Sequence, residues 1–465
     1  MSGISSKEAA ALCGGLHRGE VAPAAPRHWR CDSREICRGD AFCAIKGATT
    51  DGHLFLLQAV ERGATLLLVE KSEADKTDWN RPEFEGVTVI AADNTQEALS
   101  RIAQAYLQKV SPHVIAITGS VGKTTVRELT TAALSKHCKV HSAIRSFNTI
   151  IGCSLTVLAM AEETDALVLE LGTNHFGEIS EMVKRFPPET AVITEAVPAH
   201  LEGFGSVEGV MKAKSEICES AALSEIIYNN DNKLIKDFMA AHCADIRKIP
   251  VGRSTGSELS ILNSWVELGA TGPKTSARYA DEKGEYTFTC SLFGLQHAAN
   301  MAYAYAAAST LGVTPEEASA AFAGMPPISG RGLCRRCSVT GWLIDEAYNA
   351  NPASMSAAIK NTRAAAARLE MQKIAVLGGM KELGFSSKNW HQTILAETAD
   401  FNEVLLLGSE WGFAEENLPL NAKLCGSIAE IIEDLSGRDL SRSILLIKGS
   451  NSYGLKRVAE SLSEE

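Results

Sequence analysis

The run Thr118-Gly119-Ser120-Val121-Gly122-Lys123-Thr124-Thr125 combines glycines, a lysine and hydroxyls at a spacing suited to holding phosphate. Its glycines let backbone amides turn inward around phosphate oxygens. Lys123 can neutralise β- and γ-phosphate charge, and the Thr124 hydroxyl can enter a magnesium shell. Ile117 stands where the usual G-x-x-x-x-G-K-[ST] pattern has its first glycine. The order of apolar run, glycine turn and helix-forming run carries the nucleotide reading in its place. Glu170 closes the run ALVLE, and a carboxylate at such a strand end can face the loop across the mouth of a parallel sheet. Taken singly, His200 in PAHLEGFGS reads as a loop histidine and Lys214 in MKAKSEI as a solvated helix lysine.

Positioning these groups requires a large fold. The 465 residues, 45% hydrophobic and 22% charged, suffice for about three domains. The net charge of −11 argues against general attraction to nucleic acid or anionic lipid but leaves anionic small ligands open. Twelve cysteines spread from Cys13 to Cys425 read as reduced thiols. The start lacks a signal-peptide pattern, and no apolar stretch reaches the roughly 20 residues of a bilayer span, so a cytoplasmic protein without membrane insertion is expected. Cys334 and Cys337 have zinc-like spacing but no second close pair, and His175 and Glu178 make no zinc peptidase pattern; magnesium is the metal expected.

Residues 1–110 mix helix signals with short apolar runs and form a first domain. Ser111-Pro112 interrupts the pattern, and residues 111–328 follow as a central α/β domain, with ALVLELG, TAVITEAV and SEIIYNND as buried parallel strands and DEKGEYTFTC as further β structure. Pro326-Pro327-Ile328-Ser329-Gly330-Arg331-Gly332 marks a hinge. In residues 329–465, WLIDEAY, KIAVLGGM, EVLLLGS and SILLIKGS predict a second α/β domain able to swing against the first.

Taken together, TGSVGKTT, ELGTNHFGEI, AHLEGFGS, AKSEI, GRG and YNANPAS, with the opening DSR, GDAFCAIKG and DGHLF, closely resemble the ATP-dependent Mur ligases over nearly the whole chain. YNANP and HLEGFGS are similar to the member that adds D-alanyl-D-alanine to UDP-N-acetylmuramoyl-tripeptide. The resemblance implies an N-terminal UDP-substrate domain, a central P-loop ATPase domain and a C-terminal Rossmann-like domain. It implies that ATP phosphorylates the peptide carboxylate and that the dipeptide amine attacks the resulting acyl phosphate. No nucleic acid partner is implied, and a monomer is expected.

The resemblance also implies roles for individual residues. Gly119, Ser120, Val121, Gly122, Lys123, Thr124 and Thr125 would hold ATP, with His297 and Asn300 near the adenine and Arg331 reaching the phosphates on domain closure. Thr124 and Glu170 would serve one magnesium ion, and His200 with Glu170 a second. Lys214 matches a lysine that becomes carbamylated into an anionic metal ligand; Lys123, His200 and Lys214 form the catalytic set. Ser33, Arg34, Lys46, Asp51, Gly52 and His53 would bind the UDP-sugar together with Asn148, and Glu346, Asn349, Asn351 and Ser354 the D-alanyl-D-alanine.

The chain departs from the pattern at several places. Thr149 follows Asn148 where a second asparagine is usual, and Glu346-Ala347 replaces aspartate and serine. Gly379 stands for aspartate in LGGMKELG, and KGSNSYGLKRV lacks the methionine and glutamate usual after KGS. Most of these departures lie in the expected amine-selecting domain. A related ligase using another amine, or a nucleotide-responsive assembly protein, remains open at this stage, as does the third residue of the acceptor peptide.

Overall fold

The near-continuous apolar runs LLLVE, TVIAA, ALVLE and SILLIK become central strands of parallel sheets, whose two covered faces demand apolar residues at consecutive positions. The computed structural model describes residues 3–463 apart from 20–24, 48, 144, 270–271, 338–340 and 415–417. Its strands form three sheets. The first has the order Leu16–Arg18, Thr88–Ala92, Leu66–Glu70, Ala41–Cys43, Trp29–Arg30, parallel except at the Leu16–Arg18 edge.

The helix Thr95–Val110 follows this sheet. Asn94 caps it by accepting from the Glu97 amide, and Ser111 ends it in a left-handed turn at φ 54°. Its buried Leu99, Ile102, Ala103 and Tyr106 pack into a core that also holds Val114 and Leu167 of the second sheet and Met182 of the helix Glu178–Arg185. The helix therefore ties the two units together. Arg145 adds a polar tie, 2.7 Å from Glu35 of the first unit.

In the second, nine-stranded sheet His113–Thr118 lies between Ala166–Glu170 and Thr190–Ile193, its parallel neighbours on either side. The chain's order reverses there, and the crevice at the carboxyl ends of such strands is where open α/β sheets bind ligands. Glu225–Asn229 and Arg247–Gly252 continue the parallel part. Leu259–Gly269, Gly272–Asp281 and Gly284–Cys290 add an antiparallel extension wider than the single β run read in the sequence. The small residues of the helix Gln296–Ser309 bring it close against Lys123–Leu134 over a shared core.

The third sheet runs Leu333–Arg336, Trp342–Glu346, Ser443–Lys448, Gln372–Gly378, Glu403–Leu407, Ala422–Cys425, parallel after its first edge strand. Between the second and third sheets, Gly330 and Gly332 adopt φ of 71° and 76°. A Cβ on Gly332 would lie 2.6 Å from the Phe293 carbonyl oxygen.

Candidate active site

The strand His113–Thr118 delivers the glycine loop to the helix Lys123–Leu134. Gly122 occupies the N-cap at φ 87°, and no side chain caps the helix, so its positive end is left for an anion. Gly119 has φ 147°, and a Cβ there would lie 2.0 Å from Thr194 Oγ1. Lys123 folds back to donate to the Gly119 carbonyl at 2.7 Å. Burial lowers its pKa, an effect that Glu170 opposes and Arg331 reinforces.

Glu170, 2% exposed, accepts from Thr124 Oγ1 at 2.7 Å on one carboxylate oxygen and from Asn148 Nδ2 at 3.1 Å on the other. The Arg127 guanidinium stands 3.6 Å away. Asn148, expected at the UDP-substrate, lines the cavity and uses its side-chain amide to hold Glu170. Thr124 and Glu170 offer a hard-oxygen pair beside a phosphate loop, which fits magnesium. Among the described residues no cluster of three or more His, Cys, Asp or Glu forms a cage, and Mg²⁺ ordinarily completes its shell with waters and substrate phosphates.

His200 lies on the cavity wall, yet its Nδ1 pairs with Glu382 of the third sheet's unit rather than with Glu170. Burial lowers its pKa, and Lys123 and Lys214 reinforce this against the pull of Glu382. Lys214 corrects the single-residue reading. It is 1% exposed on the helix Val207–Ser215, and burial, with Lys123 adding to it, drives its pKa well down despite Glu178 and Glu216. Lys214 is not among the residues lining the cavity.

Seven further residues expected around the nucleotide or the amine line the same cavity of about 780 Å³: His297, Asn300, Arg331, Glu346, Asn349, Asn351 and Ser354. Asn300 and His297 bond to each other at 3.2 Å, and burial pushes His297 down to about 4. The Arg331 guanidinium sits 4.3 Å over the Tyr348 ring. Glu346 stands 3.3 Å from Lys448, which also donates to the Asn349 carbonyl at 3.0 Å. Burial raises the Glu346 carboxyl, and Lys448 opposes that rise. Asn351 and Ser354 form a reciprocal cap on the helix Pro352–Leu369, while both also face the cavity.

The N-terminal set stands apart from this cavity. Ser33 is buried on Gln58 at 2.6 Å, and exposed Arg34 pairs with Asp32. Lys46 is exposed and pairs through its backbone with Asp51. His53 needs correction as a ligand-binding group. Its side chain is buried, its Nδ1 meets Asp51 at 2.6 Å, and its Nε2 accepts from the Glu70 amide at 2.9 Å, so both nitrogens are spent inside the protein. A Cβ on Gly52 would lie 2.8 Å from the Ile45 nitrogen, giving this glycine a packing role as well.

Sequence reasoning missed three groups. Buried Arg127 donates to the Arg145 carbonyl at 2.6 Å while facing Glu170, buried Lys448 lines the cavity, and Glu382 engages His200 from behind it. Gly379 and Tyr453, two sites of departure, meet in space. A Cβ at 379 would lie 2.5 Å from Glu410 Oε2 and 2.9 Å from Tyr453 Oη. The Glu410 carboxylate fills that volume, held by the Tyr453 hydroxyl and by Lys381.

A phosphate loop sharing one cavity with the strand ends of another, largely parallel sheet defines a multidomain P-loop ligase. The chain belongs to the Mur ligase family. The model of the Mur ligase middle domain matches residues 117–308, that of the Mur ligase family catalytic domain 28–107, and that of the Mur ligase glutamate ligase domain 335–451. The chain is 33% identical over 365 residues to UDP-N-acetylmuramoyl-tripeptide--D-alanyl-D-alanine ligase of Bacillus subtilis, covering 78% of this chain and 75% of the relative. It is 30% identical to the ligase of the same name in Escherichia coli, covering 93% of each. The solved MurF ligase of Thermotoga maritima in complex with ADP superposes with a TM-score of 0.79 at 26% identity, covering 94% of this chain and 97% of that one.

Proposed function

We propose that the protein joins D-alanyl-D-alanine to UDP-N-acetylmuramoyl-tripeptide at the expense of ATP, forming UDP-N-acetylmuramoyl-pentapeptide, ADP and phosphate. The observation that carries this reading is the single cavity onto which both the phosphate loop and the Glu346–Lys448 strand ends open. ATP transfers its γ-phosphoryl group to the peptide carboxylate, making an acyl phosphate. The dipeptide amine then attacks the acyl carbon, an amide forms, and phosphate leaves with the bond to oxygen. No covalent enzyme intermediate is required, so the work left to the chain is positioning and charge stabilisation.

The loop amides and Lys123 hold the phosphates, His297 and Asn300 flank the adenine, and Arg331 approaches the phosphates from the hinge. Thr124 and Glu170 would hold Mg²⁺, and His200 with Glu170 would serve a second ion, with Lys214 in its carbamylated form as a further oxygen donor. Bound there, the metal supplies neutralisation of phosphate charge. The buried amine of Lys214 favours its neutral form, the form that adds to CO₂ with loss of a proton, and the product carbamate is an anionic oxygen donor. Ser33, Arg34, Lys46, Asp51 and Gly52 shape the UDP end. Glu346, Asn349, Asn351 and Ser354 face the dipeptide.

No helix among the described residues is long and apolar enough to cross a membrane. The reading places the protein in the cytoplasm as a monomer, which light scattering would return as a mass near 49.7 kDa. Mass spectrometry of reactions with Mg-ATP, UDP-N-acetylmuramoyl-tripeptides carrying lysine or meso-diaminopimelate, and D-alanyl-D-alanine, omitting each in turn, tests the function. Pentapeptide and ADP are expected only in the complete mixture. Absence of pentapeptide with both acceptors, despite ATP binding, would redirect the assignment to another amine.

A further inference from the structure

Five non-glycine residues among those described have a positive φ, and two of them touch each other: His200 at 52° and Glu382 at 63°. Side chains disfavour this region of backbone space, and such strained positions concentrate where a site demands a particular aim. The pair joins the second domain to the third across 182 residues of sequence. A backbone bond from the Glu202 amide to the Glu382 carbonyl, at 3.4 Å, and the approach of Gly384 to Glu202 hold the same two segments together.

His200 lines the cavity, and with Nδ1 engaged by Glu382 only Nε2 remains for a ligand there. A carboxylate can only accept, so this contact selects the tautomer with hydrogen on Nδ1 and a lone pair on Nε2. Carboxylates behind working histidines fix ring orientation and tautomer in this way. We propose that Glu382 is a positioning residue for the joining reaction: on closure of the third domain its carboxylate accepts the Nδ1–H of His200 and leaves the Nε2 lone pair for the cavity. The inference rests on the ligase reading for its consequence but not for the contact itself. It makes His200 competent only in the closed molecule, where both substrates are in place.

Full-length protein labelled with ¹³C and ¹⁵N in its histidine rings tests this by NMR with a non-hydrolysable ATP analogue and a chelator in place of Mg²⁺, so that no metal on Nε2 sets the tautomer, with His200→Asn identifying the signal. The expected wild-type state is Nδ1–H, giving way to mainly Nε2–H in Glu382→Ala. In kinetics, Glu382→Ala should lower kcat about ten-fold or more while the KM for ATP stays within about two-fold, and Glu382→Gln, which can still accept the bond, should lose less. In a His200→Asn background, removing Glu382 should change kcat by less than about two-fold. An Nε2–H ring in the wild type, full activity of Glu382→Ala, or an equal loss in both backgrounds would overturn the proposal. Wild-type protein with an Nδ1–H ring but no pentapeptide would overturn the ligase reading and still support the contact.

Discussion

Lys214 shows how one residue changes meaning with burial. In sequence it is an ordinary helix lysine; in the fold it is 1% exposed and driven toward the neutral amine. If its carbamate serves the metal, Lys214→Ala should reduce pentapeptide formation by about two orders of magnitude, and acetate or formate should restore part of it. Full activity of that variant without added bicarbonate or carboxylate would remove Lys214 from the site. His297 yields a prediction in pH. Burial depresses its pKa from 6.5 to about 4, so the unfolded chain takes up the proton first as the medium is acidified. Its contribution to stability is complete above 6.5 and is lost as pH falls toward 4, a difference of about 3 kcal/mol across the window. Denaturant titrations at pH 7.5 and 4.5 should show a smaller acid loss in His297→Gln than in the wild type, and an identical loss in both would contradict the assignment.

At the scale of elements, the phosphate loop was legible because its function demands glycine and lysine at fixed spacing and its fold demands an apolar strand before them. The antiparallel extension was read only in part. The alternation in Leu259–Gly269 is broken by polar residues, and the register shifts between Ile261 and Asn263. The His53 side chain was misread, since a histidine between Gly52 and Leu54 carries no sign in sequence that Asp51 and the Glu70 amide will use both ring nitrogens. Asn351 has two meanings at once, as N-cap of Pro352–Leu369 and as a cavity residue, and one substitution separates them. Aspartate caps as well as asparagine, so Asn351→Asp should keep the melting temperature, whereas Asn351→Ala should cost about 1 kcal/mol. The added negative charge beside Glu346 should nevertheless raise the KM for D-alanyl-D-alanine about ten-fold. An unchanged KM in the aspartate variant would confine Asn351 to capping.

At the scale of the whole molecule, the contacts least visible in sequence join separate domains: Glu35 with Arg145, His200 with Glu382, and the Phe293 backbone with Gly332. None has a local pattern, because each partner obeys the rules of its own element and the pair exists only once the domains are docked. The glycines flanking the double proline show the same limit, since Gly324 and Gly332 look alike in the sequence. Gly324 has φ −88°, and a Cβ there would meet nothing nearer than 3.4 Å. Gly332 has φ 76°, a Cβ there would lie 2.6 Å from the Phe293 carbonyl, and its own carbonyl accepts from the Phe293 amide at 3.0 Å. Gly332→Ala therefore adds about 1–2 kcal/mol of left-handed strain and pushes the third domain off the second, whereas Gly324→Ala should be neutral or slightly stabilising. The phosphate loop belongs wholly to the second sheet, so the Gly332 variant should still bind nucleotide while its kcat for pentapeptide falls, because the strand ends bearing Glu346 and Lys448 no longer meet the loop across one cavity. Calorimetry, nucleotide titration and turnover on the two variants check this, and equal turnover in both would mean that closure does not depend on the backbone fit at Gly332.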